Sequence, residues 1–138
     1  MKKISVVCGA FIKDDKVLIA QRNKGSSKGY FEFPGGKVEK EETLKQALIR
    51  EWKEECDIDI QNILFLSKNI DYQDGNEIDL TCFVFTSNQY PKLNDHSMFI
   101  WTTPDKIYNY NFFPADKILV EKLNEEWICL KEQMKKKF

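Results

Sequence analysis

The sequence predicts a mixed α/β domain, and three observations point to it. Runs rich in β-branched and aromatic residues open the chain and recur between residues 63 and 86. A capped amphipathic helix begins near residue 44, and a second helical periodicity covers residues 115–135. The order is therefore strands, helix, strands, helix. A chain of 138 residues can bury a core without metal or disulfide staples, so one domain over 1–138 is expected.

Taken in order, residues 4–12 (ISVVCGAFI) and 16–20 (KVLIA) flank the turn Lys13-Asp14-Asp15, the pattern of a hairpin. Gly25-Ser26-Ser27-Lys28-Gly29 reads as a flexible loop. Residues 30–33 alternate aromatic and acidic side chains like a short strand, which Pro34-Gly35-Gly36 should stop. Thr43 with Gln46 three residues later is a capping box, and Glu41 and Glu42 add negative charge at the positive end of the helix dipole. The helix ends over residues 57–60 without the usual glycine. Strands are expected at 63–67, 69–73 and 78–86, with Gln73-Asp74-Gly75-Asn76 as a hairpin turn. Residues 88–97 form a polar loop, 99–102 a short strand, and Pro104 opens a helical turn. Ile118, Leu119, Leu123, Trp127 and Leu130 mark the face of a last helix packed on the sheet, and residues 135–138 should fray.

Composition narrows the function classes. A content of 42% hydrophobic and 31% charged residues is that of a soluble globular protein, and a formal net charge of -1 gives no bulk attraction to a nucleic-acid polymer or an anionic membrane. The opening MKKISVVCGAFIKDDKV turns polar too early for a signal sequence, and no apolar run approaches a membrane span, so a cytoplasmic protein is expected. Cys8, Cys56, Cys82 and Cys129 are scattered without a CxxC pair and read as small buried hydrophobes kept reduced.

The chemistry is concentrated in the first helix. Leu44, Ala47 and Leu48 mark a buried face, yet the next positions on that face are Glu51, Glu54 and Glu55, before Ile58. Three carboxylates on a partly buried face repel one another unless protons or cations intervene. Hard divalent cations such as Mg2+ take oxygen ligands and keep positions open for phosphate. Arg50 lies one turn before Glu54 and is a candidate to orient a carboxylate.

The stretch from Gly36 to Ile58 resembles the Nudix box. Gly36, Glu42, Arg50, Glu51, Trp52, Glu54, Glu55 and Ile58 stand at the required spacing, with Asp57 in place of the late glycine. Asp57 tolerates the left-handed backbone that the glycine serves. The resemblance implies a Nudix α/β/α sandwich, a mixed sheet between the box helix and the last helix, and a hydrolase of nucleoside diphosphates linked to another group. It implies Mg2+ or Mn2+ held by Glu51, Glu54, Glu55 and the Gly35 carbonyl, with one of the glutamates helping to deprotonate water. Arg50 would fix their geometry, Glu42 would support the loop or contribute an outer-sphere contact, and Gly36 would support the motif; Lys37 is a candidate phosphate contact or a solvated lysine.

VVCGAFIKDDKVLIAQR, FEFPGGKVE, IWTTPDKI and FFPADKILVEKL extend the resemblance to the MutT-type branch, which hydrolyses (deoxy)nucleoside triphosphates to monophosphate and pyrophosphate. Carried over, Arg22 contacts phosphate or sugar, and Glu32, Phe33 and Pro34 form the strand beside the base. Asp116 reads a base edge, caps the last helix, or does both. Trp101, Phe112, Phe113, Tyr30 and Phe31 are candidates for a stacking wall. Asn76-Glu77 replaces a basic hairpin residue of certain relatives. Late in the chain the family often supplies another acidic group for metal or base duty, to which Asp95 before His96 is the nearest match, although the pair reads more simply as ordinary loop residues. The expected partner is a nucleotide substrate of a monomer or homodimer. Alternatives are a hydrolase of ADP-ribose or dinucleoside polyphosphates, or a Nudix domain that senses nucleotide without turnover.

Overall fold

The computed structural model describes residues 2–135. Lys135 closes the last helix, and the rest of the expected frayed end, residues 136–138, lies outside the described residues.

The opening hairpin forms from β1 (Lys2–Lys13) and β2 (Lys16–Arg22). Asp14 and Asp15 between them have φ of 51° and 61°, the paired left-handed conformations whose twist suits a two-residue hairpin loop. β3 (Phe31–Glu32) pairs with β2. Pro34 interrupts the chain, but the two glycines do not stop β structure as the sequence suggests. β4 (Gly35–Lys37) pairs antiparallel with β1, Gly35 opposite Cys8 and Gly36 opposite Val7. A Cβ on Gly35 would collide with the Val7 carbonyl oxygen and the Cys8 Cα, so only glycine permits this approach.

Helix α1 (Leu44–Cys56) starts at the expected capping box. Gln46 N donates to Thr43 Oγ1 at 3.1 Å, and Thr43 N donates to Gln46 Oε1 at 2.9 Å. It ends at Asp57, whose φ of 54° is the left-handed geometry expected there. The strands expected at 63–67 and 69–73 are one strand, β5 (Gln61–Gln73), interrupted only by bulges. β6 (Asn76–Thr86) follows the predicted turn, and β7 (His96–Thr102) begins three residues before the expected strand at 99. Short 3-10 turns at Pro104–Asn109 and Pro114–Asp116 lead into α2 (Lys117–Lys135). Asp116 thus closes the second 3-10 turn instead of standing alone as a helix cap.

The sheet runs β3-β2-β1-β6-β5, with β4 joined to β1 and β7 to β2. It is mixed because β1 and β6 are parallel, whereas the other pairs are antiparallel. Strand alternation divides the core. Val7 and Phe11 of β1 and Phe83 and Phe85 of β6 pack with Leu48 and Trp52 of α1. Cys8 and Ala10, with Cys82 and Val84, share the other core with Leu119 and Leu123 of α2. The sheet is sandwiched between the two helices, as the resemblance implies.

The buried stripe of α1 differs from the expected one. Leu44 is exposed, and the stripe runs Ala47, Leu48, Trp52, Cys56. Trp52 takes the core position because its indole N–H donates to the Pro34 carbonyl at 3.1 Å, which removes the cost of burying that group. Glu51 and Glu55 therefore lie on the flank of the stripe, and Glu54 points outward with its side chain 60% exposed. Cys8, Cys56 and Cys82 are buried free thiols, and Cys129, contrary to expectation, is exposed. Among the described residues no helix is long and apolar enough to cross a membrane.

Candidate active site

Arg50 organises the acidic end of the site. Its Nε lies 2.7 Å from Glu42 Oε2 and its Nη2 3.0 Å from Glu42 Oε1, a bidentate pair. Nη1 reaches Glu51 Oε1 at 3.0 Å and Glu54 Oε2 at 3.4 Å, and Nη2 also donates to the Lys37 carbonyl at 3.0 Å. This cluster is more than a surface i,i+4 pair. Hydrogen bonds from Arg50, and then from the Glu39 backbone, hold the Glu42 carboxyl down at about 2. Glu42 Oε1 in turn accepts from Glu39 N at 2.9 Å, so the loop before α1 is tied to the helix through one carboxylate.

Glu51 packs against the β4 backbone. A Cβ on Gly36 would overlap its carboxylate, so the absent side chain is what lets the loop lie there. Burial raises the Glu51 pKa against the opposing hydrogen bond from Arg50. Glu55 is more extreme: burial first, then the charges of Glu51, Glu32, Asp95 and Glu54, push its carboxyl up to about 9. Its Oε2 is buried without a hydrogen-bond partner. A buried, unsatisfied oxygen among like charges is a site that gains from a proton or a cation.

Those residues fit a hard divalent cation. The donors are carboxylate oxygens, one of them orphaned, and the Gly36 cradle keeps backbone beside Glu51. Among the described residues no three acidic, histidine or cysteine side chains form a finished metal cage as they stand.

Glu55 opens onto a cleft of about 420 Å³ that also presents Arg22, Glu32, Phe33, Gly35, Gly36, Lys37 and Asp116. These eight residues and Phe113, all of them candidates from the sequence, thus meet in one place. Arg22, Glu51, Glu54 and Arg50 divide between the two ends: Arg22 is in the cleft, and the other three stand at its acidic margin. Pro34 is behind the wall, where its carbonyl accepts from Gly9 N at 3.0 Å and from Trp52 Nε1. Burial, helped by the charge of Glu32 and opposed by Arg22, raises the Asp116 carboxyl to about 7. Of the five aromatic candidates only Phe113 lines the cleft, with the Arg22 guanidinium 5.3 Å from its ring centroid. Trp101 packs on the opposite face of the sheet near Phe11, and Phe112 is buried against Phe33.

Sequence reasoning missed two groups. Asn69, Asp71 and Gln73 of β5 line the cleft. His96, read as a loop residue, opens β7 and places Nε2 2.8 Å from Glu32 Oε2. A second cleft, of about 310 Å³ between Lys13, Ser87 and Lys131, contains none of the predicted site residues.

Comparison with known proteins accords with this geometry. The NUDIX domain family matches residues 1–130. A CTP pyrophosphohydrolase of Escherichia coli is 34% identical over 123 residues, covering 88% of this chain and 91% of the relative. An 8-oxo-dGTP diphosphatase of Proteus vulgaris is 39% identical over 87 residues, covering 62% of this chain and 78% of the relative. The solution structure of the E. coli ORF135 protein superposes with a TM-score of 0.81 at 31% identity, covering 91% of each chain.

Proposed function

This chain belongs to the Nudix family of hydrolases, and from that membership we propose that it hydrolyses (deoxy)nucleoside triphosphates to nucleoside monophosphate and pyrophosphate. The observation that carries the proposal is the single cleft shared by the Glu55 end and by Asp116, with two cations, Arg22 and Lys37, on its walls. Such a cleft suits a polyphosphate at one end and a base edge at the other. Similarity over most of the chain to a CTP pyrophosphohydrolase, and over a shorter span to an 8-oxo-dGTP diphosphatase, supports triphosphates as the substrate class.

Glu51, Glu54, Glu55 and the Gly35 carbonyl would hold Mg2+ or Mn2+. Bound there, the cation neutralises polyphosphate charge and makes water easier to deprotonate. Lys37 binds phosphate oxygens, and Arg22 contacts phosphate or sugar. Water attacks the β phosphorus, the bond to the oxygen bridging to the α phosphorus breaks, and the monophosphate leaves. The proton lost by water passes to a carboxylate of the cluster. Arg50 does not touch substrate; it holds Glu51 and Glu54 in place against their mutual repulsion. Phe33 and Phe113 bound the base, and Glu32 and Asp116 read its polar edge.

The test is a Mg2+-dependent screen of CTP, dCTP, 5-methyl-dCTP, dGTP and 8-oxo-dGTP, with ADP-ribose as control and both pyrophosphate and monophosphate detected. Pyrophosphate release from a triphosphate supports the reading and names the base. Turnover of ADP-ribose alone would reassign the enzyme to other nucleoside diphosphate derivatives. Binding of nucleotide with no turnover would make it a sensing domain.

A further inference from the structure

Glu32 is fixed from two sides. Arg22 Nη1 lies 3.0 Å from its Oε1 and His96 Nε2 lies 2.8 Å from its Oε2. An ionised carboxylate only accepts, so the imidazole donates through Nε2. The two anchors are themselves a cross-strand pair: Arg22 of β2 stands opposite His96 of β7, at the bulge that follows Gln21. Glu32 extends from the neighbouring β3, where it pairs with Ala20. Three strands thus converge on one carboxylate at the cleft wall.

His96 is almost wholly enclosed, with its side chain 3% exposed against 15% for Glu32. Its Nδ1 is buried without a hydrogen-bond partner. The ring makes a side-chain hydrogen bond to Glu32 through Nε2 and none through Nδ1. What the buried imidazole provides behind the wall is a second donor to Glu32.

We propose that His96 is a positioning residue that holds the Glu32 carboxylate against the cleft wall, so that nucleotide affinity and base preference depend on it while the chemical step does not. The inference rests on the triphosphate reading above and adds to it a specificity-setting residue that never meets the substrate. Without the His96 bond, Glu32 would turn about its Arg22 contact and present its oxygens in a different direction.

The experiment compares His96→Leu with His96→Gln in the full chain, measuring kcat and KM for CTP and for 8-oxo-dGTP in Mg2+. His96→Leu should raise KM about tenfold or more, the effect of losing one charge-assisted hydrogen bond, and narrow the ratio of kcat/KM between the two nucleotides. kcat should stay within about threefold. His96→Gln, which keeps an N–H donor at similar reach, should restore both KM and preference. An unchanged KM and preference in His96→Leu, a loss confined to kcat, or a Gln variant no better than Leu would overturn the role. Should His96→Leu fail to fold, His96→Asn, whose amide stops short of Oε2, takes its place and is expected to show the same contrast with Gln. A wild-type protein that turns over none of the five triphosphates of the screen above overturns the triphosphate reading and this role with it. Turnover with KM unmoved by substitution overturns only the role of His96.

Discussion

The Arg50 guanidinium grips the Glu42 carboxylate with two parallel hydrogen bonds, Nε to Oε2 at 2.7 Å and Nη2 to Oε1 at 3.0 Å. The remaining guanidinium nitrogen, Nη1, is thereby aimed at Glu51 and Glu54. Lysine cannot form this fork, so Arg50→Lys should weaken Mg2+ activation about 10- to 100-fold, as loss of a supporting contact to metal ligands does. The half-saturating Mg2+ concentration, read from initial rates, checks it; an unchanged value would make the fork merely structural. Glu42 adds an acid-side signature. Its folded pKa is depressed, so its contribution to stability is present above the unfolded value of about 4.3 and is lost as pH falls through about 2.

Glu55 has the opposite sign. A carboxyl raised to about 9 contributes stability below its unfolded value of about 4.3 and loses it as pH rises through about 9. The metal-free protein should therefore have a Tm that declines over that window, and Glu55→Gln should flatten the decline while leaving the fold intact. Added Mg2+ should raise Tm more at pH 8 than at pH 5, because the cation competes with a proton. Glu55→Gln and Glu54→Gln should both lose most turnover. The exposed Glu54 should leave the metal-free Tm nearly unchanged. Thermal melts across pH, with and without Mg2+, decide the matter; retained turnover with lowered Tm would mean that the carboxylates are structural.

The two glycines of β4 should fail differently. In Gly35→Ala the new methyl meets backbone of β1, which has no room to yield, and a loss of about 2 kcal/mol or more is expected. In Gly36→Ala it meets the Glu51 carboxylate, the end of a side chain, so the fold should persist while turnover collapses. Chemical denaturation alongside kcat separates the two outcomes; equal loss of stability in both variants would contradict the distinction.

Asp57 departs from the box pattern, and its φ of 54° predicts what restoring glycine does. Relief of left-handed strain is offset in part by the loss of exposed ion pairs to Lys53 and Lys92, which contribute little in water. Asp57→Gly should thus raise Tm slightly, with kcat unchanged. A lower Tm would show that the ion pairs outweigh the strain.

Local signals were legible in the sequence because their physics is local. The Thr43-Gln46 box, the Asp14-Asp15 turn and the left-handed Asp57 each depend on a few neighbouring residues. The acidic cluster was legible through spacing, although the weight of Trp52 rotated its helix and left Glu54 facing solvent. What escaped depends on long-range register. In β5, Leu64 lies opposite Val84 and Ser67 opposite Cys82, so the bulge between Phe65 and Ser67 switches the α2 face from even to odd positions. That switch turns Asn69, Asp71 and Gln73 toward the cleft, and no composition rule announces it. His96 escaped for a similar reason: its partner Glu32 is 64 residues away, joined to it only through the stacking order of β3, β2 and β7.

β1 carries the consequences furthest. Its middle residues are bonded to β4 on one side and β6 on the other, while its alternate side chains supply both cores. Deleting one residue from it would exchange the inward and outward sets for everything downstream, emptying the packing beneath both helices at once. The acidic cluster of α1, the β4 backbone beside it and the cleft wall that carries Asp116 therefore hang from one ladder. None can be excised, grafted or unfolded by itself, and amide exchange at Val7, Cys8 and Gly9 should report the opening of the entire cleft as one event.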